Sequence, residues 1–340
     1  MTNSKMQKTL DTTVIQNIST MLFRQHSTLK RFLTLLIGIF CLQIAQAAHI
    51  VGGDITYEHV SGDDYRINLR IYRDIGTNPN QTDFDEIIYL YIYEENTSGV
   101  FDFYDIESIN LIEENITALE SIVDPCIIGA PALNFEVVTY SKVISLPNTP
   151  QFGYHIGSQR CCRNGTISNI QQPDNTGIVW YVHVNKNALD SNHSAPNFEQ
   201  FEELFICKDY ESEIDFSVTT NAPNTTITYA PITPYAEGFN GDDCDIFFNP
   251  DDADCDIDVL IANMTPPYNN ILWEVDQNGT PIYDVDNQFG NDQHPFPSQF
   301  DVDPITGMVT INPSTLGLFL VGIQAIEIDT ITRDTLSIVY

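Results

Sequence analysis

The chain has 340 residues, with 14 Lys plus Arg against 47 Asp plus Glu and a formal net charge of −33 at pH 7. Such a surface repels phosphate backbones and anionic lipid, which excludes nucleic-acid and membrane-surface binding and favours cations and basic partners. High charge can accompany disorder, but 42% of the residues are hydrophobic and 11% aromatic, enough apolar mass to build packed cores.

Residues 1–31 are polar and end on Lys30 and Arg31; an apolar run follows from Phe32 to Ile44, then Ala45-Gln46-Ala47. A basic flank, an apolar stretch of that length and an A-x-A site predict a secretory signal peptide over 1–47, with Ala48 opening the mature chain. The run is too short for a bilayer span of about 20 residues, so no membrane insertion of the mature chain is expected. Its removal takes five bases and one acid, leaving 9 bases against 46 acids. Ile50-Val51-Gly52-Gly53 matches the start of an activated trypsin-like protease. However, no Lys or Arg precedes it and the chain has no G-x-S-x-G or GDSGG-like stretch to supply a nucleophile, so a zymogen is excluded.

From residue 50 the pattern is period two. Tyr65, Ile67, Leu69 and Ile71 fall on one face of a strand and Arg66, Asn68, Arg70 and Tyr72 on the other, as a half-buried strand requires. Further strands are predicted at 50–57, 86–93, 100–104, 136–146, 152–159 and 178–184, each short and bounded by Gly, Asn, Asp or Pro. Only 106–119 has a periodicity that could pass for a helix, and it is ragged. A polar stretch around 191–203 reads as a linker. A second set of strands is predicted at 214–220, 226–230, 271–276, 308–311, 317–328 and 335–340, interrupted by an acidic, Pro- and Asn-rich insert at 231–270. The expectation is an all-β chain of two tandem Ig-like β-sandwich domains, 48–205 and 206–340.

Beyond Cys41 of the signal there are six cysteines: Cys126, Cys161, Cys162, Cys207, Cys244 and Cys255. In an exported chain an even count predicts three disulfides, with 15 pairings open. Cys161 and Cys162 are neighbours near the end of a strand, where successive side chains point to opposite faces, so each is expected to take a different distant partner. Cys126 and Cys207 are the natural candidates, and Cys244 with Cys255 would close a local acidic loop. There are no C-x-x-C pairs or histidine clusters in the sequence to favour zinc.

Three constellations suggest ligands. Asp242, Asp243, Asp245, Asp251, Asp252, Asp254, Asp256 and Asp258 crowd the insert and can supply the six to eight oxygens that calcium takes, although the EF-hand order is absent; a solvated acidic loop is the competing reading. Tyr89, Tyr91 and Tyr93 share one strand face while Ile88, Leu90 and Ile92 share the other, so the tyrosines are either an outward platform for a glycan or protein or a face covered by a second sheet or loop. If cleavage fell after Ala48, His49 would carry a free amine and could bind copper with a second histidine, from His59, His155, His183, His193 and His294, as histidine-brace oxygenases on Ig-like sandwiches do. The alternative is a structural first strand. Arg73 and Arg160, scarce cations in an acidic chain, are expected to form structural ion pairs with carboxylates.

The stretches HIVGGDITYE, YRINLRIYRD, GSQRCCRNGTISNI and SAPNFEQFEELFIC resemble the amino-terminal region of large secreted or surface proteins of Bacteroidota of the PKD-domain or gliding-motility-associated kind. The stretch FDVDPITGMVTINPSTLGLFLVGIQAIE resembles the closing strands of a cadherin-like or Ig module. The likeness runs from His49 to Tyr340. It implies export, Ig-like folds and a role as a non-catalytic structural or adhesion module, an amino-terminal piece of a larger envelope protein with surface proteins or glycans as partners. It supplies no catalytic residues. Two family cysteines are replaced, one by Ile75 and one near Asn134, which implies that they were partners and leaves four framework cysteines in the first domain. The stretch NAPNTT at 221–226 stands where the family carries an acidic turn, so the resemblance does not carry a calcium role over to that turn. The alternatives to this reading are a carbohydrate-binding module using the tyrosine face and, more remotely, a histidine-brace copper enzyme.

Overall fold

The computed structural model describes residues 50–74, 84–119, 135–160, 163–198, 206–236, 261, 264–290 and 299–340. The protein is all-β, with sixteen antiparallel strands and one short helix among these residues. The first half contains β1 (Ile50–Ser61), β2 (Asp64–Asp74), β3 (Ile87–Thr97), β4 (Val100–Asn110), β5 (Ile116–Leu119), β6 (Phe135–Ser145), β7 (Gly153–Arg160) and β8 (Ile178–Asn185), followed by α1 (Lys186–Ser191). These strands form two four-stranded sheets, ordered β1-β2-β6-β5 and β4-β3-β7-β8. The segment with ragged helical periodicity is therefore strand β4, a single 3-10 turn at Glu113–Asn115 and strand β5.

The inward faces meet in one core. Tyr65, Ile67, Leu69 and Ile71 of β2 are buried against Leu90 and Ile92 of β3 and Val182 and Val184 of β8. Ion pairs fix the register: Arg73 and Glu136 are cross-strand neighbours on β2 and β6 and bond at 2.6 Å, while Arg160 Nε lies 3.2 Å from Asp85. Both scarce cations thus pair with carboxylates.

The second half holds β9 (Asn197–Phe198), β10 (Ser212–Asp215), β11 (Val218–Thr219), β12 (Thr225–Pro231), β13 (Gln299–Val302), β14 (Met308–Asn312), β15 (Ile323–Asp329) and β16 (Thr335–Val339). Two three-stranded sheets, β10-β14-β13 and β12-β15-β16, enclose a smaller core of Phe289, Phe300, Val309, Ile311 and Ile323. The stretch 271–276 makes only isolated bridges, at Trp273 and Val275.

The chain from Ala47 to Tyr340 is one compact unit. Residues 191–198, part of the stretch that reads as a polar linker, are packed: His193, Ala195 and Phe198 are buried, and β9 pairs with β11. Tyr229, Ala325 and Val339 of the second half belong to the same core as Ile55 and Trp180 of the first. Polar clasps hold the join. Asn185 accepts from the Ala188 N–H to cap α1 and donates to the carbonyls of Thr335 and Leu336 at 3.1 and 3.0 Å. Tyr57 Oη donates to Leu336 O. Glu327, with no exposed side-chain surface, receives His193 Nε2 at 2.8 Å on one oxygen and Thr220 Oγ1 at 2.6 Å on the other.

Burial acts to raise the Glu327 carboxyl, but the hydrogen bonds from His193 and Thr220 outweigh it and hold the group below its usual range. A lowered folded value means that this contribution is present above the ordinary glutamate range and is lost as pH falls through the folded value. Glu327→Gln is expected to destabilise the protein by about 2 kcal/mol at neutral pH, and the gap to wild type should close as pH drops below the ordinary glutamate value of 4.5. Urea denaturation across pH checks this, and a gap that widens in acid would contradict it. Gly153 sits at φ +111°, where an added Cβ would meet Val184 O at 2.2 Å; Gly153→Ala should cost about 2 kcal/mol or more, read in the same assay.

Candidate functional site

Strands β3, β7 and β8 of the sheet β4-β3-β7-β8 are covered on both faces, while the edge strand β4 is largely exposed. Every residue of β7 is buried. Its second face carries the odd-numbered residues: Tyr89, Tyr91, Tyr93 and Glu95 on β3, His155, Gly157 and Gln159 on β7, and Tyr181 and His183 on β8. Antiparallel register sets Tyr91 opposite Gly157, Tyr93 opposite His155, His155 opposite His183 and Gly157 opposite Tyr181. The two ends of the acidic insert close over this face. Ile261, Met264 and Tyr268 pack on Tyr91 and Tyr93, and Tyr93 Oη donates to Ile261 O. Gly157 provides the room: a Cβ there would meet Tyr268 Oη at 2.3 Å.

The tyrosine stripe is therefore not an open platform. Tyr91 is 0% and Tyr93 1% exposed, and Tyr89 is half-buried beside them. Aromatic rings bury more area against the Met264–Tyr268 segment than they would keep in water, and the period-two pattern alone cannot say which face gains a cover.

At the end of this face Glu95, His155 and His183 come together. One ring nitrogen from each histidine and one carboxylate oxygen lie within 4.8 Å of one another, the one such group of three among the described residues. Cross-strand pairing stacks the imidazoles, with centroids 4.0 Å apart and planes 18° off parallel. His155 Nε2 is 2.9 Å from Glu95 Oε2 and its Nδ1 is 2.6 Å from the Tyr181 hydroxyl. His183 Nε2 donates to the carbonyl of Phe152 at 3.0 Å. Glu95 Oε1 accepts the backbone N–H of Gly99 at 2.8 Å. That N–H is aimed by the Ser98-Gly99 hairpin turn, where Gly99 adopts φ +76°.

The electrostatics follow from this cover. Burial lowers the His155 imidazole, partly offset by Glu95, and burial together with neighbouring His155 lowers His183 to about 4. Burial works against the Glu95 charge, but the Gly99 N–H and His155 prevail and hold the carboxyl below its usual range. The cluster at neutral pH is thus one carboxylate and two neutral imidazoles. Tyr181 continues it into a group of rings with Tyr235, Tyr268 and Tyr340.

A second feature is a cavity of about 420 Å³ bordered by Trp180, Tyr181, Phe198, Phe216, Phe319 and Tyr340, between the first sandwich and the loops of the second.

Of the other expected site residues, Cys207 is disulfide-bonded. Cys126, Cys161, Cys162, Cys244 and Cys255 lie outside the described residues, as do Asp242, Asp243, Asp245, Asp251, Asp252, Asp254, Asp256 and Asp258 of the calcium reading. His49, His294 and the signal peptide also fall outside them. Among the histidines considered for a copper brace, His59 bonds Gly62 O and His193 bonds Glu327, while His155 and His183 lie together. In the sequence Glu95 is marked only by its place two residues beyond Tyr93 in the same alternation.

No family model matches the chain, and neither the curated proteins nor the solved structures contain a significant match. No helix among the described residues is long and apolar enough to cross a membrane.

Eleven tyrosines, Tyr57, Tyr65, Tyr72, Tyr91, Tyr93, Tyr140, Tyr154, Tyr181, Tyr229, Tyr268 and Tyr340, are raised, each first by burial, with Tyr65, Tyr72 and Tyr93 pushed up to about 12. A raised folded value leaves stability intact below the free tyrosine value of 10.0 and removes it as pH climbs through the folded values. Alkaline titration should show most tyrosinate absorbance appearing together with the loss of β circular dichroism. A smooth titration near pH 10 with the fold intact would show these rings to be solvent-accessible.

Proposed function

We propose that the chain is a non-catalytic structural or adhesion module of an exported surface protein, acting as a stiff two-sandwich spacer that presents its loops to a partner. The observation that carries this reading is the join between the sandwiches. Strand β16 is seated against β8 and β1, with Val339 and Ala325 in the first sandwich's core and Asn185, Tyr57 and Glu327 clasping the contact. Modules joined by a polar linker bend at the joint, whereas modules sharing a core transmit force without a hinge. The disulfide at Cys207 supports an oxidising destination, because such bonds are rare in reducing cytosol. The leader at 1–47 and the resemblance to Bacteroidota surface proteins point the same way, and the charge of −33 favours a basic or cation-bridged partner.

Two measurements test the reading. Protease treatment of intact producing cells should release peptides of this chain, with Cys207 recovered oxidised; a cytosolic, reduced protein would overturn it. The two tryptophans, Trp180 and Trp273, lie in the first and second halves, so single-tryptophan variants should report one shared urea transition. Two well-separated transitions would remove the stiff spacer.

A further inference from the structure

We propose that Glu95, His155 and His183 bind a borderline divalent transition-metal cation of the zinc class at the covered end of the β3-β7-β8 face. The donor chemistry comes first. Two imidazole nitrogens and one carboxylate oxygen form a set suited to Zn²⁺ and its Co²⁺, Ni²⁺ and Cu²⁺ relatives, and poorly suited to Ca²⁺, which takes oxygens only.

The outer contacts aim the donor atoms. Because Phe152 O is a pure acceptor, His183 Nε2 must carry its proton, which leaves Nδ1 as a bare lone pair; that nitrogen has no hydrogen-bond partner among the described residues. The Tyr181 hydroxyl beside His155 Nδ1 can donate or accept a hydrogen bond. In the metal-free state it donates to Nδ1 while Nε2–H bonds Glu95. With a cation on Nε2 the ring proton would sit on Nδ1, and that N–H would donate a hydrogen bond to the Tyr181 oxygen, so the ring stays neutral. A carbonyl on one histidine and a hydroxyl on the other are the outer partners that metal-ligating imidazoles require. Gly99 N–H holds the third ligand, leaving Glu95 Oε2 on the site side.

The geometric step is small. Donors at 2.0–2.1 Å in a tetrahedral site lie about 3.3 Å from one another. One ligand atom from each of the three residues already lies within 4.8 Å of the others, so the set needs to close by roughly 1.5 Å at most. Stacked rings send their lone pairs side by side, so binding splays the imidazoles. With three protein ligands, a fourth position is left to water or to a group on a partner. The partly exposed rim of Glu95, 13% exposed at its side chain, gives access.

Zinc chloride is titrated calorimetrically into the full, disulfide-intact chain with calcium in excess, so that the acidic insert does not compete. One Zn²⁺ per chain is expected, with a rise in Tm that a chelator reverses. Co²⁺ in its place should give the intense visible bands of a four-coordinate site. His183→Ala and Glu95→Gln should each weaken binding at least about tenfold and abolish the Co²⁺ bands, while leaving the metal-free circular dichroism unchanged. If His183→Ala does not fold, His183→Gln keeps a donor for Phe152 O and replaces it. Absence of binding, or binding unchanged in both variants and therefore seated at the amino terminus or the acidic insert, would overturn the assignment. Neither result bears on the spacer reading, which does not need the metal.

Discussion

The rest of the structure depends on three neighbouring strands, β3, β7 and β8, that are covered on both faces. In an antiparallel sandwich one face of each strand normally meets water, and alternation supplies it with polar residues. Strands β3, β7 and β8 instead have cover on both sides. Their aliphatic face fills the main core, and their second face holds tyrosines, histidines and a carboxylate enclosed by the protein. Tyrosine suits this because its ring supplies the burial; the Tyr93 hydroxyl also finds Ile261 O, whereas the Tyr91 hydroxyl is buried without a hydrogen-bond partner among the described residues. The same constraint produces the polar clasps at the join, where Asn185 and Glu327 face backbone and side-chain partners in place of water.

Much of this was legible in the residues. The buried set Tyr65, Ile67, Leu69 and Ile71 on β2 follows from period two, as do β1, β6, β7 and β8 to within a few residues. The ion pairs of Arg73 and Arg160 followed from the cost of leaving rare cations unpaired. Strand β13 escaped notice because Gln299–Val302 is short and mixed, and 317–320 read as strand although β15 starts only at Ile323. Alternation describes a strand's two faces but carries no information about what lies above them.

The candidate site was the least legible part for the same reason. Glu95, His155 and His183 are 60 and 28 residues apart in order along the chain, and nothing in their local sequence joins them. What joins them is register: β3 against β7 and β7 against β8. The cover was equally hidden. Residues Met264 to Tyr268 sit at the end of a segment whose composition is dominated by carboxylates, yet they supply the apolar and aromatic groups that close the tyrosine face. A segment read by its average charge concealed a few residues that act by burial.

Energetics separate the histidine cluster from its surroundings. Three aliphatic side chains at 95, 155 and 183 would bury the same face without desolvating a carboxylate and two imidazoles, and such replacements are commonly neutral or stabilising. Here burial opposes the Glu95 charge and depresses both imidazoles, and Gly99, Tyr181 and Phe152 are all engaged to offset it. The neighbouring positions on the same strands show the cheaper solution, since Tyr91 and Tyr93 are sealed by Met264. A cluster that keeps one imidazole nitrogen without a hydrogen-bond partner among the described residues and holds its carboxylate at the rim has the donor arrangement of the proposed cation site. Strand β8 links this cluster to the join. Because β8 carries both His183 and the Asn185 clasp to β16, a cation that orders His183 would brace the strand on which the two sandwiches meet.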